Sequence, residues 1–292
     1  MKIAIVGSEG FIGKELRAQC ERERISVTSL DVVPAAHAGH TVVDVLDVDL
    51  ARHLHDGLDA VVHLAAVSRD ADCAKDPRHA VEVNVAGAVN VHAAACARGA
   101  KQLIFASSEW VYGEVQGQDA QTEDMPIDVR RIGSEYALTK LFAEQLLRVA
   151  HSRDPKTAVT VLRFGIVYGP RPANWSAVEQ LHEAVRGGGP IAVHGSLKTA
   201  RRFIHVSDVV RGIIRAIGRT GYETFNLSGD ELITLGEIIA ASAELLGRNP
   251  SVSEGNPLAI SVRNPDNRRT REALGWRPAI GLRDGLRTLS AG

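Results

Sequence analysis

The chain has 292 residues, enough for one large α/β unit or a large domain with a smaller partner. Hydrophobic residues make up 45% and charged residues 24%, so a disordered or membrane-embedded chain is excluded. The net charge of −1 gives no drive toward nucleic acid or an anionic membrane surface, and partners of those kinds are not expected. The three cysteines, Cys20, Cys73 and Cys96, include no Cys-x-x-Cys spacing and read as reduced thiols. The pair His53 and His55 has no carboxylate at a familiar ligand spacing, so no metal is expected.

Met1-Lys2 runs straight into an apolar strand with no cleavage site after it. No apolar run approaches the roughly 18 residues needed to span a bilayer. A cytoplasmic location is therefore expected. Residues 3–6 form a continuous apolar run ending in glycine, the pattern of a strand buried on both faces. A helix is predicted over 11–22, then strands over 25–30, 41–43 and 60–64. A long helix follows over 80–98, ended by Gly99, then a strand over 102–106, a helix over 134–151 and a strand over 158–164. Strands alternate with helices, which predicts a parallel sheet covered on both faces. Beyond about residue 166 the texture changes. Gly169-Pro170-Arg171-Pro172 and Gly187-Gly188-Gly189-Pro190 mark loops. A helix over 207–217 and a strand over 225–227 return to the first pattern.

Gly7-Ser8-Glu9-Gly10-Phe11-Ile12-Gly13 falls between the first strand and the first helix. In that context the glycines serve a tight turn, the approach of a pyrophosphate to the main chain, and close helix–strand packing. The helix N-terminus adds free N–H groups and partial positive charge. Asp31 closes the second strand, 18 residues after Gly13. A carboxylate there accepts both hydroxyls of an adenosine ribose and repels a 2′-phosphate. Val32-Val33-Pro34 offers no cation to neutralise one, so NAD is favoured over NADP.

Tyr136 and Lys140 stand at i and i+4, on one helix face. An ammonium roughly 5 Å away at an effective dielectric near 20 favours a phenolate by about 3 kcal/mol, or roughly two pKa units. The pair is thus suited to take a proton from an alcohol during its oxidation. Ser107-Ser108 ends the fifth strand, at the edge where open parallel sheets bind ligands.

These motifs together resemble the extended short-chain dehydrogenase/reductase superfamily, in its NAD-dependent epimerase/dehydratase branch. The matching pieces include the glycine turn and Asp31, Asp44-Val45, His63-Leu64-Ala65-Ala66 and Asn84-Val85-Ala86-Gly87. Further on they are Ser107-Ser108-Glu109-Trp110-Val111-Tyr112-Gly113, the Tyr136/Lys140 pair, Val167-Tyr168-Gly169-Pro170-Arg171, Arg201-Arg202-Phe203-Ile204-His205-Val206-Ser207-Asp208 and Leu274-Gly275-Trp276. The resemblance implies an α/β fold: a doubly wound parallel Rossmann sheet with a small α/β C-terminal substrate lobe. The NAD-binding domain would cover 1–165, rejoined by about 206–228. The lobe would cover 166–205 and 229–292.

By the same resemblance Asp44 and Val45 contact adenine, and Leu64, Ala65 and Ala66 line the cofactor channel. Phe11, Ile12, Asn84, Ser107, Phe164 and Val167 join the cofactor site. Ser108 is the catalytic hydroxyl, Lys140 also holds the nicotinamide ribose, and Arg201 binds a substrate diphosphate. A homodimer packed through the helices 80–98 and 134–151 is implied as well.

The chain departs from the family pattern in three places. Ile166 stands where nucleotide-sugar epimerases often carry asparagine. The arginine-proline-glycine-aspartate stretch of the lobe is missing, with Arg263 as a partial substitute and Asn174 and Trp175 able to rebuild part of the pocket. Glu109 follows Ser108, as the acid of a 4,6-dehydratase would, but Trp110 fills the next acidic place. An epimerase of a nucleotide sugar, working through a keto-sugar, is the leading expectation. A sugar dehydrogenase or reductase, a 4,6-dehydratase and a non-catalytic dinucleotide sensor stay open, and the intact Ser108, Tyr136 and Lys140 disfavour the sensor.

Overall fold

A computed structural model describes residues 1–113, 119–173 and 175–290. The chain divides into two compact units. The first is built from Met1–Gly113, Ile127–Arg163 and Val210–Phe225; the second holds the described part of Glu114–Pro126 with Phe164–Val209 and the chain from Asn226. Residues 119–126 therefore go with the second unit.

The first unit carries the main sheet. Its strands are β1 (Lys2–Val6), β2 (Ser26–Asp31), β3 (His40–Val42), β4 (Ala60–His63), β5 (Gln102–Ser108) and β6 (Ala158–Phe164), with Tyr222–Leu227 as the seventh. Their order across the sheet is Tyr222–Leu227, β6, β5, β4, β1, β2, β3. The pairs β1–β2, β1–β4, β2–β3 and β4–β5 are parallel. The α/β, doubly wound expectation is met. Ala4, Val6, Val61, Leu103, Phe105, Val159 and Val161 share one apolar cluster. Ile3, Ile5, Val62 and Ile104, at the alternate positions, are equally buried, so both faces are covered and residues 3–6, 60–62 and 103–106 read as unbroken apolar runs. The chain order reverses between β1 and β4, and the crevice beyond their carboxyl ends is where such sheets bind ligands.

Helices α1 (Phe11–Arg22), α2 (Asp70–Lys75), α3 (Pro77–Val81), α4 (Gly87–Ala97) and α5 (Glu135–Arg153) flank this sheet. The helix expected over 80–98 begins earlier, at Pro77. Proline is tolerated at a first helical position, where its missing N–H costs nothing, and Asp76 accepts the His79 N–H at 3.0 Å as the cap. A π turn over Glu82–Ala86 joins α3 to α4. Pro77–Ala97 is thus a continuous 21-residue helix, long and apolar enough by length and composition to cross a membrane, contrary to the reading of the bare sequence. Half of its most apolar window is buried, and Val91, Ala94 and Ala95 belong to the core cluster, as in a core helix.

The second unit has short strands and its own core. Ala200–Arg201 lies between Ile233–Thr234, antiparallel, and Val262–Arg263, parallel. Tyr168, Val178, Phe203, Ile238 and Leu286 form an apolar cluster, with Ile166 packed against it. Asp208 accepts the N–H groups of Ala279 and Ile280, each at 2.9 Å, and its carbonyl accepts the Trp276 indole at 3.1 Å. The aspartate of one motif thereby holds the Gly275-Trp276 motif.

Candidate active site

The dinucleotide turn is sterically committed to glycine. Gly7 has φ +91°, and a Cβ there would lie 2.5 Å from the Ala65 nitrogen. A Cβ on Gly13 would lie 2.2 Å from the Gly7 carbonyl oxygen. The Leu64 and Ala65 N–H groups both donate to the Val6 carbonyl, at 2.8 and 3.0 Å, which brings the chain after β4 against the turn. Gly10 is different. A Cβ there would meet only Gly7 O at 3.5 Å, ordinary contact, so the protein itself does not require glycine at that position. Gly10 caps α1 without a side-chain hydrogen bond, and no acidic residue stands in the first turn. A bare main chain at an uncapped helix N-terminus fits a pyrophosphate.

Asp31 ends β2 beside this turn. Its Oδ2 accepts the Glu9 N–H at 2.8 Å and its Oδ1 the Val33 N–H at 2.9 Å, which fixes the carboxylate beside the turn. The residues present therefore fit a dinucleotide. Gly13→Ala is expected to destabilise the chain by about 1–3 kcal/mol through overpacking and to abolish retention of the dinucleotide. Urea unfolding and the nucleotide content of purified protein check this.

Other residues of the cofactor expectation are placed as follows. Phe11, Ile12 and Ala66 are partly buried at the turn and after β4. Asp44 is exposed, and its Oδ1 accepts the Leu46 N–H at 2.9 Å. Val45 belongs to the core cluster. Asn84 and Ser107 are directed at protein groups. Asn84 accepts the Val67 N–H at 2.8 Å and donates to the Val67 carbonyl and the Thr139 hydroxyl, each at 3.0 Å. Phe164 and Val167 fall in the second unit.

The three catalytic expectations meet at the carboxyl end of β5. Ser134 caps α5, accepting the Ala137 N–H at 3.2 Å, and this starts the helix just ahead of Tyr136. The Ser108 hydroxyl is close enough to Tyr136 to favour its ionised form. The Lys140 ammonium donates to the Ala106 carbonyl at 2.9 Å, 4.9 Å from the Phe105 ring centre and 5.9 Å from that of Tyr136. Trp110 meets Tyr136 edge to face, with centroids 6.4 Å apart. Glu109 lies in the short 3₁₀ turn after β5 and is fully buried.

The expected depression of the Tyr136 pKa does not hold in the free chain. Tyr136 is partly exposed, yet desolvation pushes its hydroxyl up to about 12, against the lowering effect of the Ser108 hydroxyl. Burial pushes the Lys140 ammonium down to about 8. Loss of solvent around both groups, which residue spacing does not show, sets the direction of both shifts. His63, at the end of β4, is pushed down to about 3 by burial first and the Lys140 charge second, and so stays neutral.

Burying the Lys140 charge costs stability. The unfolded chain takes up the extra proton between about pH 8 and 10.5, so this contribution to stability rises with pH across that window. The shift corresponds to about 3 kcal/mol. Lys140→Met removes that cost and loses one hydrogen bond of about 1 kcal/mol. The ligand-free variant is expected to be the more stable protein at pH 7 by about 2 kcal/mol, with the advantage gone near the ordinary lysine pKa. Urea unfolding of both proteins at several pH values checks this.

A group that reading the sequence missed supports the trio. Glu144 lies one further i+4 step along α5 from Lys140 and is 1% exposed. It takes Arg163 Nη2 at 2.7 Å and Nε at 3.1 Å, and its Oε1 accepts the Ser107 hydroxyl at 2.5 Å. Arg163 Nη1 donates to the Tyr112 hydroxyl at 3.1 Å. The ion pair thereby clamps the residue before Ser108 and the turn after it. Extending the Tyr136/Lys140 spacing by four residues would have found Glu144.

In the second unit Arg201 and Arg263 are register partners on adjacent parallel strands. Arg201 donates to the Ser261 carbonyl at 2.7 Å and the Ser261 hydroxyl at 2.9 Å. Arg263 is 6% exposed. Trp175 is held by its indole on the Arg171 carbonyl at 2.8 Å. Asn174, the remaining substrate expectation, lies outside the described residues.

Comparison with known proteins agrees with this geometry. The model of the NAD-dependent epimerase/dehydratase family matches residues 3–228. The uncharacterized UDP-glucose epimerase YtcB of Bacillus subtilis is 27% identical, over 98% of this chain and 96% of the relative. A dTDP-glucose 4,6-dehydratase of Streptomyces griseus is 29% identical, over 97% of this chain and 91% of the relative. The solved structure of MoeE5 in complex with UDP-glucose and NAD is similar with a TM-score of 0.87, at 28% identity over 99% of this chain and 97% of that one. The chain belongs to the NAD-dependent epimerase/dehydratase family, and the dinucleotide for which its first turn is shaped is NAD.

Proposed function

We propose that this chain is an epimerase of a nucleotide sugar, inverting one ring carbon through a transient ketone. The observation that carries the reading is the Lys140 ammonium 5.9 Å from the centre of the Tyr136 ring, where the Ser108 hydroxyl favours the ionised tyrosine. The glycine turn and Asp31 would hold NAD, which when bound would supply the acceptor and donor of the hydride. Tyr136 takes the proton of the sugar hydroxyl and returns it, while Ser108 holds the same oxygen. The Lys140 charge favours the phenolate side of that transfer. Arg201 and Arg263 supply permanent charge and planar donor forks suited to the substrate diphosphate. UDP-sugars are the first substrates to try, because YtcB is described as acting on UDP-glucose and MoeE5 was solved with it.

A second reading has a specific observation behind it. Glu109 is a buried carboxyl next to Ser108, the place of a dehydratase acid, and a 4,6-dehydratase is among the relatives. Trp110 in the second acidic place counts against it. Incubation with a panel of UDP- and dTDP-sugars, followed by chromatography, separates the two. A new isomer of unchanged mass supports epimerisation; a product lighter by one water supports dehydration.

A homodimer and a cytoplasmic location belong to the same reading. Val89 on α4 with Leu138 and Phe142 on α5 are 42%, 44% and 56% exposed, an apolar face that water does not favour. Phe142→Glu is expected to yield monomers in sedimentation where the parent sediments as a dimer. Three free cysteines suit a reducing compartment.

A further inference from the structure

The dinucleotide turn and the strands beside it assemble a second donor set. Glu9 lies in the turn after β1, His37 in the loop after β2, and His40 opens β3. His37 and His40 stand three apart in the chain, and folding brings Glu9 to them across 28 residues. Each residue offers one ligand atom, and these atoms all lie within 4.8 Å of one another. His37 Nε2 is 2.9 Å from Glu9 Oε1. The two imidazoles meet edge to face, with centroids 5.2 Å apart.

Two features of this cluster call for a ligand. Both ring nitrogens of His40 are shielded from solvent, and neither has a hydrogen-bond partner in the structure. Leaving a buried polar group unmet costs about 1–3 kcal/mol, and a bound ion is one of the things that removes such a cost. Glu9 supplies the carboxylate: His37 Nε2 lies 2.9 Å and the Arg17 guanidinium 3.6 Å from its Oε1. Two imidazoles and one carboxylate form a nitrogen-rich set. That set suits zinc, whereas calcium and magnesium prefer all-oxygen shells.

We propose that Glu9, His37 and His40 bind a divalent transition-metal ion, zinc being the best fit, with water completing the shell. The ion replaces the hydrogen bond between Glu9 and His37. Any proton shared between them leaves to solvent, and one His40 nitrogen gains a partner. The Arg17 charge beside Glu9 weakens the affinity, so the site is weaker than a three-ligand site without such a neighbour. Because the Glu9 N–H is bound to Asp31, the ion sits beside the ribose-binding carboxylate and takes no part in the chemistry at Tyr136.

The test uses the full chain, stripped with chelator and titrated with zinc against a colorimetric competitor. One zinc per chain is expected, with affinity lowered about tenfold or more in His37→Ala and in His40→Ala. His53→Ala, a histidine away from the cluster, is expected to bind zinc like the parent. Cobalt should give visible bands of a four-coordinate site in the parent and lose them in His40→Ala, whose folding is checked by circular dichroism. Absence of zinc binding by the parent, or binding unchanged in a folded His40→Ala protein, overturns the proposal. Neither readout involves turnover, so a failure here leaves the epimerase reading untouched.

Discussion

Tyr136→Phe is expected to lower kcat by about 10²–10⁴-fold, the range for losing a positioned acid–base group. The substitution deletes one oxygen and leaves the ring. The edge-to-face contact with Trp110 and the place on α5 survive, so the phenyl ring keeps its position. What disappears is the proton acceptor and its interaction with the Ser108 hydroxyl. Steady-state kinetics, together with the NAD content of the purified variant, check this. A fall in kcat with NAD content unchanged assigns the loss to chemistry. A fall that tracks lost NAD would mean that Tyr136 acts by holding the cofactor.

The largest expected effect on stability comes from Glu144. Replacing it by glutamine leaves the Arg163 guanidinium buried without its counter-charge. Removing one member of a buried ion pair costs about 3–5 kcal/mol. Glutamine still offers one acceptor, so the expected loss lies near the lower end. Glu144→Ala lies near the upper end, because the Ser107 hydroxyl also loses its acceptor. The double variant Glu144→Leu with Arg163→Met is expected to recover most of the loss, because no buried charge is then left alone. Urea unfolding of all four proteins measures this. Equal damage in the single and double variants would show that the pair contributes by packing, not by charge.

Much of this molecule was legible in the sequence because it is written in local patterns. The apolar run of β1 and the β-branched, largely apolar stretch of β6 gave both strands, and Gly7 and Gly13 of the first turn are forced by contacts of 2.5 Å or less that no side chain could survive. Tyr136 and Lys140 shared a face because helix geometry requires it. What stayed hidden depends on burial and on partners distant in sequence. The tyrosine pKa was read with the wrong sign for the free chain, since desolvation cannot be seen in a spacing. Ser107 and Asn84, expected at the cofactor from their motifs, also bond Glu144, Val67 and Thr139, partners that no spacing in the sequence shows. Glu9 drew no comment as a variable position in the turn, and its grouping with His37 and His40 needs the fold of three strands.

In the proposed epimerisation, hydrogen removed from one sugar carbon returns to that same carbon. UDP-glucose carrying deuterium at the inverted carbon, C-4 in the first instance, tests it most directly in ordinary water. The expected product is an isomer of UDP-glucose that keeps the deuterium at that carbon, with no accumulation of reduced cofactor. Loss of the label to solvent, or NADH formed in proportion to product, would contradict it.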